Sequence, residues 1–278
     1  MNSFEELMRS PLQRRAFLTR MTAAGLGSAA VALLSGCGSR SGTLYPSPFT
    51  DPTNFPGIPG RNADETVLNY ALTLEILEAD LYRQALNLAS GRSVGTALDP
   101  TLPAGPTGTG SYRLAVSPGG IAADRVAPAF AYLVQYAYVE AAHRDFLQTA
   151  LASLGAPVAR PNAQGYRADF GTTLESILTV IYAIEETGVR AYLGAAGFMN
   201  DPQLLTTAVA IHSTEARHSG AVAYVLGLPV GPRYLGGDRN ALNQAQSPNP
   251  SPYGENTFQY YLEPRTVLQA VRPFIVGA

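Results

Sequence analysis

In the stretch "YVEAAHRDFL", residues 138–147, Glu140 stands three positions before His143; in "STEARHSG", residues 213–220, Glu215 stands three before His218. Positions three apart on a helix share a face, so a carboxylate and an imidazole at this spacing can serve one metal ion. A single Glu-x-x-His also occurs as a hydrogen-bonded surface pair. Here the motif occurs twice and uses two of only three histidines in 278 residues, each time in the middle of an apolar helical pattern. That repetition points to metal.

Two further helical segments carry a carboxylate in a matching frame. "LEILEADLY" holds Glu75 and Tyr82, and "IEETGVRAY" holds Glu185 and Tyr192, with Tyr seven residues after Glu in both. The chain therefore reads as two related halves, each a Glu helix followed by a Glu-x-x-His helix. Glu186 stands four before Arg190, the spacing of an exposed ion pair, whereas Glu185 shares a stripe with Leu178, Tyr182, Val189 and Tyr192. Glu185 is the expected ligand. Glu75 and Glu78 can both face inward; the repeat frame favours Glu75 and leaves Glu78 beside it.

The set Glu75, Glu140, His143, Glu185, Glu215 and His218 is the four-carboxylate, two-imidazole set of di-metal helix bundles. Four buried carboxylates without partners would be costly, and two divalent cations bring the set to neutrality. Oxygen and imidazole donors without thiolate suit iron first and manganese second, with zinc also compatible. Glu78, Tyr82, Tyr192 and His212, three before Glu215, are the candidates to stand behind the ligands. At helical spacing the tyrosines read first as core, and His212 first as a packed or solvated ring.

The elements that must position these residues are readable from caps and breakers. Asn62 with Glu65 has capping-box spacing for a first helix that runs to Gly91. Residues 92–122 are rich in Gly, Pro and Thr and read as a surface insertion. A second helix covers about 123–153, its start nearer Val126 because Pro128 is tolerated only in a first turn. Thr172 with Glu175 is a capping-box spacing for a third helix ending near Gly194 to Gly197. Asp201 and Pro202 open a fourth that Gly227 and Pro229 close. The link between the second and third helices, about 17 residues at ~3.3 Å each, exceeds the ~40 Å length of the helices and permits a long crossover. Beyond residue 230 the chain is rich in Pro, Gly and Asn, with one short helix around 265–271, and reads as a wrapping tail.

The first 40 residues have another character. "LQRRAFLTRMTAAGLGSAAVALLSGC" has paired arginines, a modest apolar run and small residues before Cys37, the order of an export signal. Its apolar run, residues 21–34, is too short for a hydrocarbon core of about 30 Å. Arg14-Arg15-Ala16-Phe17-Leu18 resembles the twin-arginine export motif and Leu34-Ser35-Gly36-Cys37 resembles a lipobox, with Gln13 and Thr19 departing from the usual flanks. Cys37 is the only cysteine, so no internal disulfide exists, and the expected modification is lipidation. The organisation expected is a removed signal (1–36), a flexible Pro- and Gly-rich tether (37–61), a helix bundle (62–229) and a tail (230–278). Loss of the signal removes four arginines and two glutamates and leaves a mildly acidic chain. With 19 basic against 21 acidic residues there is no field to neutralise phosphates, which excludes nucleic-acid binding as the expected role.

The stretches "LNYALTLEILEADLYRQAL", "FGTTLESILTVIYAIEETGVRAYLGAAG", "EARHSGAVAYVLG" and "YYLEPRTVLQAVRPFI" resemble the ferritin-like superfamily, in particular its exported, desiccation-related branch. The paired Glu-x-x-His motifs are similar to bacterioferritin- and rubrerythrin-type centres. The resemblance implies an all-α ferritin-like four-helix bundle of two hairpins joined by a crossover. It also implies metal-dependent O2 or peroxide chemistry, iron oxidation or a stress role in the cell envelope or periplasm. The long insertion, the irregular C-terminal tail and a lipid-tethered N-terminus depart from cage-forming ferritins, so a homo-oligomer is compatible and a storage cage is not expected. The alternative is a non-enzymatic envelope stress protein with a structural or vestigial metal site.

Overall fold

The computed structural model describes residues 54–101, 108–231, 259 and 261–278. The signal stretch, Cys37, most of the tether and residues 232–258 of the tail lie outside the described residues. Among the described residues five α-helices carry the fold: α1 (Ala63–Ala89), α2 (Val126–Ser153), α3 (Leu174–Ala196), α4 (Pro202–Val225) and α5 (Pro264–Val271). The described residues form no named strand, only two isolated bridges, Ser117 with Thr173 and Tyr166 with Ile275. No helix among them is long and apolar enough to cross a membrane.

α1, α3 and α4 each start where a side chain satisfies orphan N–H groups. Asn62 accepts from the Glu65 amide, but the Glu65 carboxylate turns to the Arg61 backbone and guanidinium, so only half of the anticipated box forms. The third helix is capped one residue later than its sequence suggests. Thr173 and Ser176 make the reciprocal box, and the Glu175 carboxylate instead accepts from the Gly120 amide, tying the insertion to the helix start. Asp201 caps α4 through the amides of Gln203 and Leu204, with Pro202 in the first turn. A short 3-10 turn, Ala123–Arg125, leads into α2 and puts Pro128 in its opening turn.

α1 packs on α2 and α3, and α4 closes the square against α2 and α3. Contacts fix the directions. The Arg61 guanidinium, before α1, reaches the Leu154 carbonyl after α2, and Arg125, before α2, reaches the Tyr224 carbonyl at the end of α4. Tyr82 pairs with Glu185 and Tyr192 with Glu75, so α1 and α3 are also antiparallel. The crossover, residues 154–173, therefore runs the length of the bundle. Asn69, fully buried in α1, holds it by donating to the Pro157 carbonyl and accepting from the Ala159 amide.

The insertion has no regular structure in its described part, but it is anchored. Tyr112 is buried, its hydroxyl accepts from the Asp99 amide, and Tyr138 of α2 donates to the Asp99 carbonyl. The described end of the tail lies across α3. The Leu262 amide donates to the Arg190 carbonyl, and the Leu262 carbonyl occupies the space where Gly194 has no Cβ. Val267 and Val271 are buried beneath it, each contributing roughly 1.5–3 kcal/mol.

Candidate metal centre

The bundle brings all six anticipated ligands to one level of its interior. Among the described residues, two groups place metal-competent atoms within 4.8 Å of one another: Glu75, Glu140, His143 and Glu215, and Glu140, Glu185, Glu215 and His218. Glu140 and Glu215 belong to both groups. The two oxygens of Glu140 diverge accordingly, Oε2 lying 3.0 Å from His143 Nδ1 and Oε1 2.8 Å from His218 Nδ1. His143 Nδ1 is also 3.5 Å from Glu75 Oε2 and 3.3 Å from Glu215 Oε1, and His218 Nδ1 is 3.4 Å from Glu185 Oε1.

The donor set fits two divalent cations. Glu75 Oε2, Glu140 Oε1, Glu185 Oε2, both Glu215 oxygens and His218 Nδ1 are buried without a hydrogen-bond partner. Glu140 Oε1 and His218 Nδ1 are close but off the hydrogen-bond line, aimed past each other into shared space. Unpaired buried acceptors are costly, and a cation among them removes the cost.

Electrostatics divide the carboxylates by environment. Burial, reinforced by neighbouring carboxylates, pushes Glu78 and Glu215 well above the usual range. Burial also raises Glu75, to about 7, against the pull of His143. Glu185 is raised by burial, with His218 opposing. Glu140 is buried too, yet its contacts with His143 and His218 hold it down at about 2. Burial works against the imidazolium forms, but Glu140 and Glu75 lift His143 to about 10, and Glu185 and Glu140 lift His218 to about 9. Protonated, the two rings offset part of the carboxylate charge around them.

The residues expected behind the ligands occupy different places. Tyr192 donates to Glu75 Oε1 at 2.6 Å and Tyr82 donates to Glu185 Oε1, so each tyrosine orients the Glu of the opposite half. Burial and the adjoining carboxylates push both phenols well above their usual range, keeping them donors. Glu78 is buried one turn from Glu75 but belongs to neither ligand group. His212 is half-buried, its Nδ1 3.1 Å from the Val189 carbonyl; burial lowers its basicity.

Glu186 corrects a sequence expectation. It does face Arg190, at 3.6 Å, but it is only 4 % exposed and accepts from Ser219, the residue after His218. The pair is interior and joins α3 to α4 beside the centre. Tyr136 of α2 is a contributor that the ligand motifs do not name. Its ring stacks on His218 with centroids 3.8 Å apart, and Tyr132 stacks in turn on Tyr136. The signal was the spacing of Tyr132, Tyr136 and Glu140 at successive fours, which names a face but not its partner.

Residues 63–228 match the ferritin-like domain family. The chain belongs to that family. A search of curated proteins returns no match. The helical bundle and its carboxylate–histidine cluster fit a di-metal carboxylate member, with a divalent-metal site at the centre of the ferritin-like domain.

Proposed function

We propose that this ferritin-like protein is an exported di-metal carboxylate protein that uses iron, or manganese in its place, to handle O2 or peroxide in stress protection. The observation that carries the reading is that the two ligand groups share Glu140 and Glu215, which sets two ions side by side. Glu75 and His143 would hold one ion, Glu185 and His218 the other, and Glu140 and Glu215 would bridge. Bound there, such a pair supplies Lewis acidity and redox equivalents for a small oxidant. The chain's own part is to fix the ligands through Tyr82 and Tyr192, to exclude bulk water by burial, and to balance charge.

The same reading places the protein in the cell envelope, lipid-anchored at Cys37 after removal of residues 1–36, with residues 37–61 as tether to a bundle of 62–229. The residue order from Gln13 to Cys37 supports it. Mass spectrometry of the membrane-fraction protein tests it: a chain beginning at a lipidated Cys37 is expected, and an intact N-terminus in the soluble fraction refutes it.

The functional test is to load the reduced protein with iron(II), measure stoichiometry, and mix with O2 or peroxide. Two equivalents and rapid oxidation of the bound metal are expected. Two bound equivalents that stay reduced would favour the non-enzymatic alternative, a structural metal in an envelope stress protein.

A further inference from the structure

Glu78 is a buried carboxylate near the centre that belongs to neither ligand group and, unlike Glu186, faces no arginine or serine partner among the described residues. It is 4 % exposed, and its Oε2 has no hydrogen-bond partner. It lines a crevice of about 20 Å³ between α1, α3 and α5. The walls are apolar, including Leu74, Leu77 and Ile184, and Val271 and Phe274 of the C-terminal segment form the outer rim. Thr187, also on the wall, spends its hydroxyl on the Ala183 carbonyl. Among the described residues Glu78 is thus the only titratable group on the wall, and one of its carboxyl oxygens has no partner.

The inner end of the crevice is Gly188. A Cβ there would lie 3.0 Å from Glu78 Oε1 and 3.2 Å from Glu215 Oε2. Both contacts are tighter than ordinary packing, so a methyl group at this position would stand between Glu78 and a shared carboxylate of the centre. The absence of a side chain leaves the two connected. About 20 Å³ suffices for one water-sized molecule. An unpartnered carboxyl oxygen selects a small molecule that makes O–H hydrogen bonds, and it offers nothing to an apolar diatomic gas.

We propose that this crevice is a binding site for hydrogen peroxide, with water as its resting occupant, in which the Glu78 carboxyl hydrogen-bonds the guest and Gly188 is the opening to the centre. The C-terminal helix α5 roofs it. The proposal rests on the di-metal reading for its purpose, but its occupancy can be read without any metal.

The test has two arms. In crystals of metal-free and zinc-loaded full-length protein, one ordered water is expected within hydrogen-bond distance of Glu78 Oε2, replaced by a diatomic species after a peroxide soak. In Glu78→Leu that density should vanish. An empty crevice, or a water that peroxide does not displace, would overturn the proposal. In the second arm, oxidation of the iron(II)-loaded protein by peroxide should slow about tenfold in Glu78→Leu, the loss of one hydrogen bond, and by a similar factor in Gly188→Ala, which obstructs the passage, at unchanged iron stoichiometry. An unchanged rate with full iron content would also overturn it. Failure to bind metal at all would instead sink the di-metal reading, and the crystal arm would still decide the crevice.

Discussion

The two sides of the centre are built from matching sequence and differ in enclosure. Both have a Glu-x-x-His pair, a Glu from the preceding helix and a tyrosine from the opposite half. Yet the His143 side chain is 15 % exposed, and the His218 side chain is 4 % exposed beneath the ring of Tyr136. Beside His218, Ser219 and Glu186 add a further interior hydrogen bond. A repeated ligand frame therefore sets coordination chemistry, while non-repeated neighbours set access. One side is shielded on the face that the other leaves half-open.

The comparison breaks most completely at Glu140, which serves both sides. Glu140→Ala should abolish binding of both ions, reading near zero equivalents by elemental analysis where the parent reads two. Replacing one side's imidazole should divide them: His143→Ala and His218→Ala are each expected to retain about one equivalent, at opposite positions in a crystal structure. Removing a single orienting hydroxyl is milder. Tyr82→Phe and Tyr192→Phe should each weaken affinity by about 10–100-fold in competition with a chelator, the first at the His218 side and the second at the His143 side.

Acidity sharpens the comparison without mutation. In the metal-free protein His143 and His218 are raised to about 10 and about 9, so their stabilisation is complete below the ordinary imidazole range and is lost as pH rises through those values. Glu75, raised to about 7, favours the folded state when protonated, and its contribution fades as pH rises through 7. All three have the same sign, so metal-free melting temperature should fall from pH 6 to 10. The gain from added zinc should grow over the same range, because metal must displace those protons. A metal-free melting temperature that climbs with pH would contradict this picture. The smallest effect expected is on exchange: Tyr136→Leu should speed metal release from the His218 side a few-fold towards that of the His143 side, measured by stopped-flow chelation.

The fold was legible where local chemistry decides it. Asn62, Asp201 and Pro202 announce helix starts through groups that act within three residues, and the apolar period carries the helices between them. Thr172 misled by one position because Thr173 offers the same hydroxyl, and only the docking of Glu175 on Gly120 decides between them. The six residues that the structure brings together are those whose spacing repeats. Glu186 was harder to place: an i,i+4 partner in Arg190 looks the same on a solvated face as on an interior one, and Ser219 lies on another helix. Tyr136 and Gly188 act through contacts with α4 and α1, which no local window contains.

The order of the chain has a consequence for when the centre comes into being. The group at His143 takes Glu75 and Glu140 from the first hairpin but needs Glu215 from the last helix, and the group at His218 needs Glu140 from the second. As the polypeptide emerges from the ribosome, neither group can exist until residue 215 has been made and the second hairpin has docked. A metal held there would therefore come to a finished protein as a late cross-link between halves, and the metal supply of the compartment that completes folding would decide what is bound.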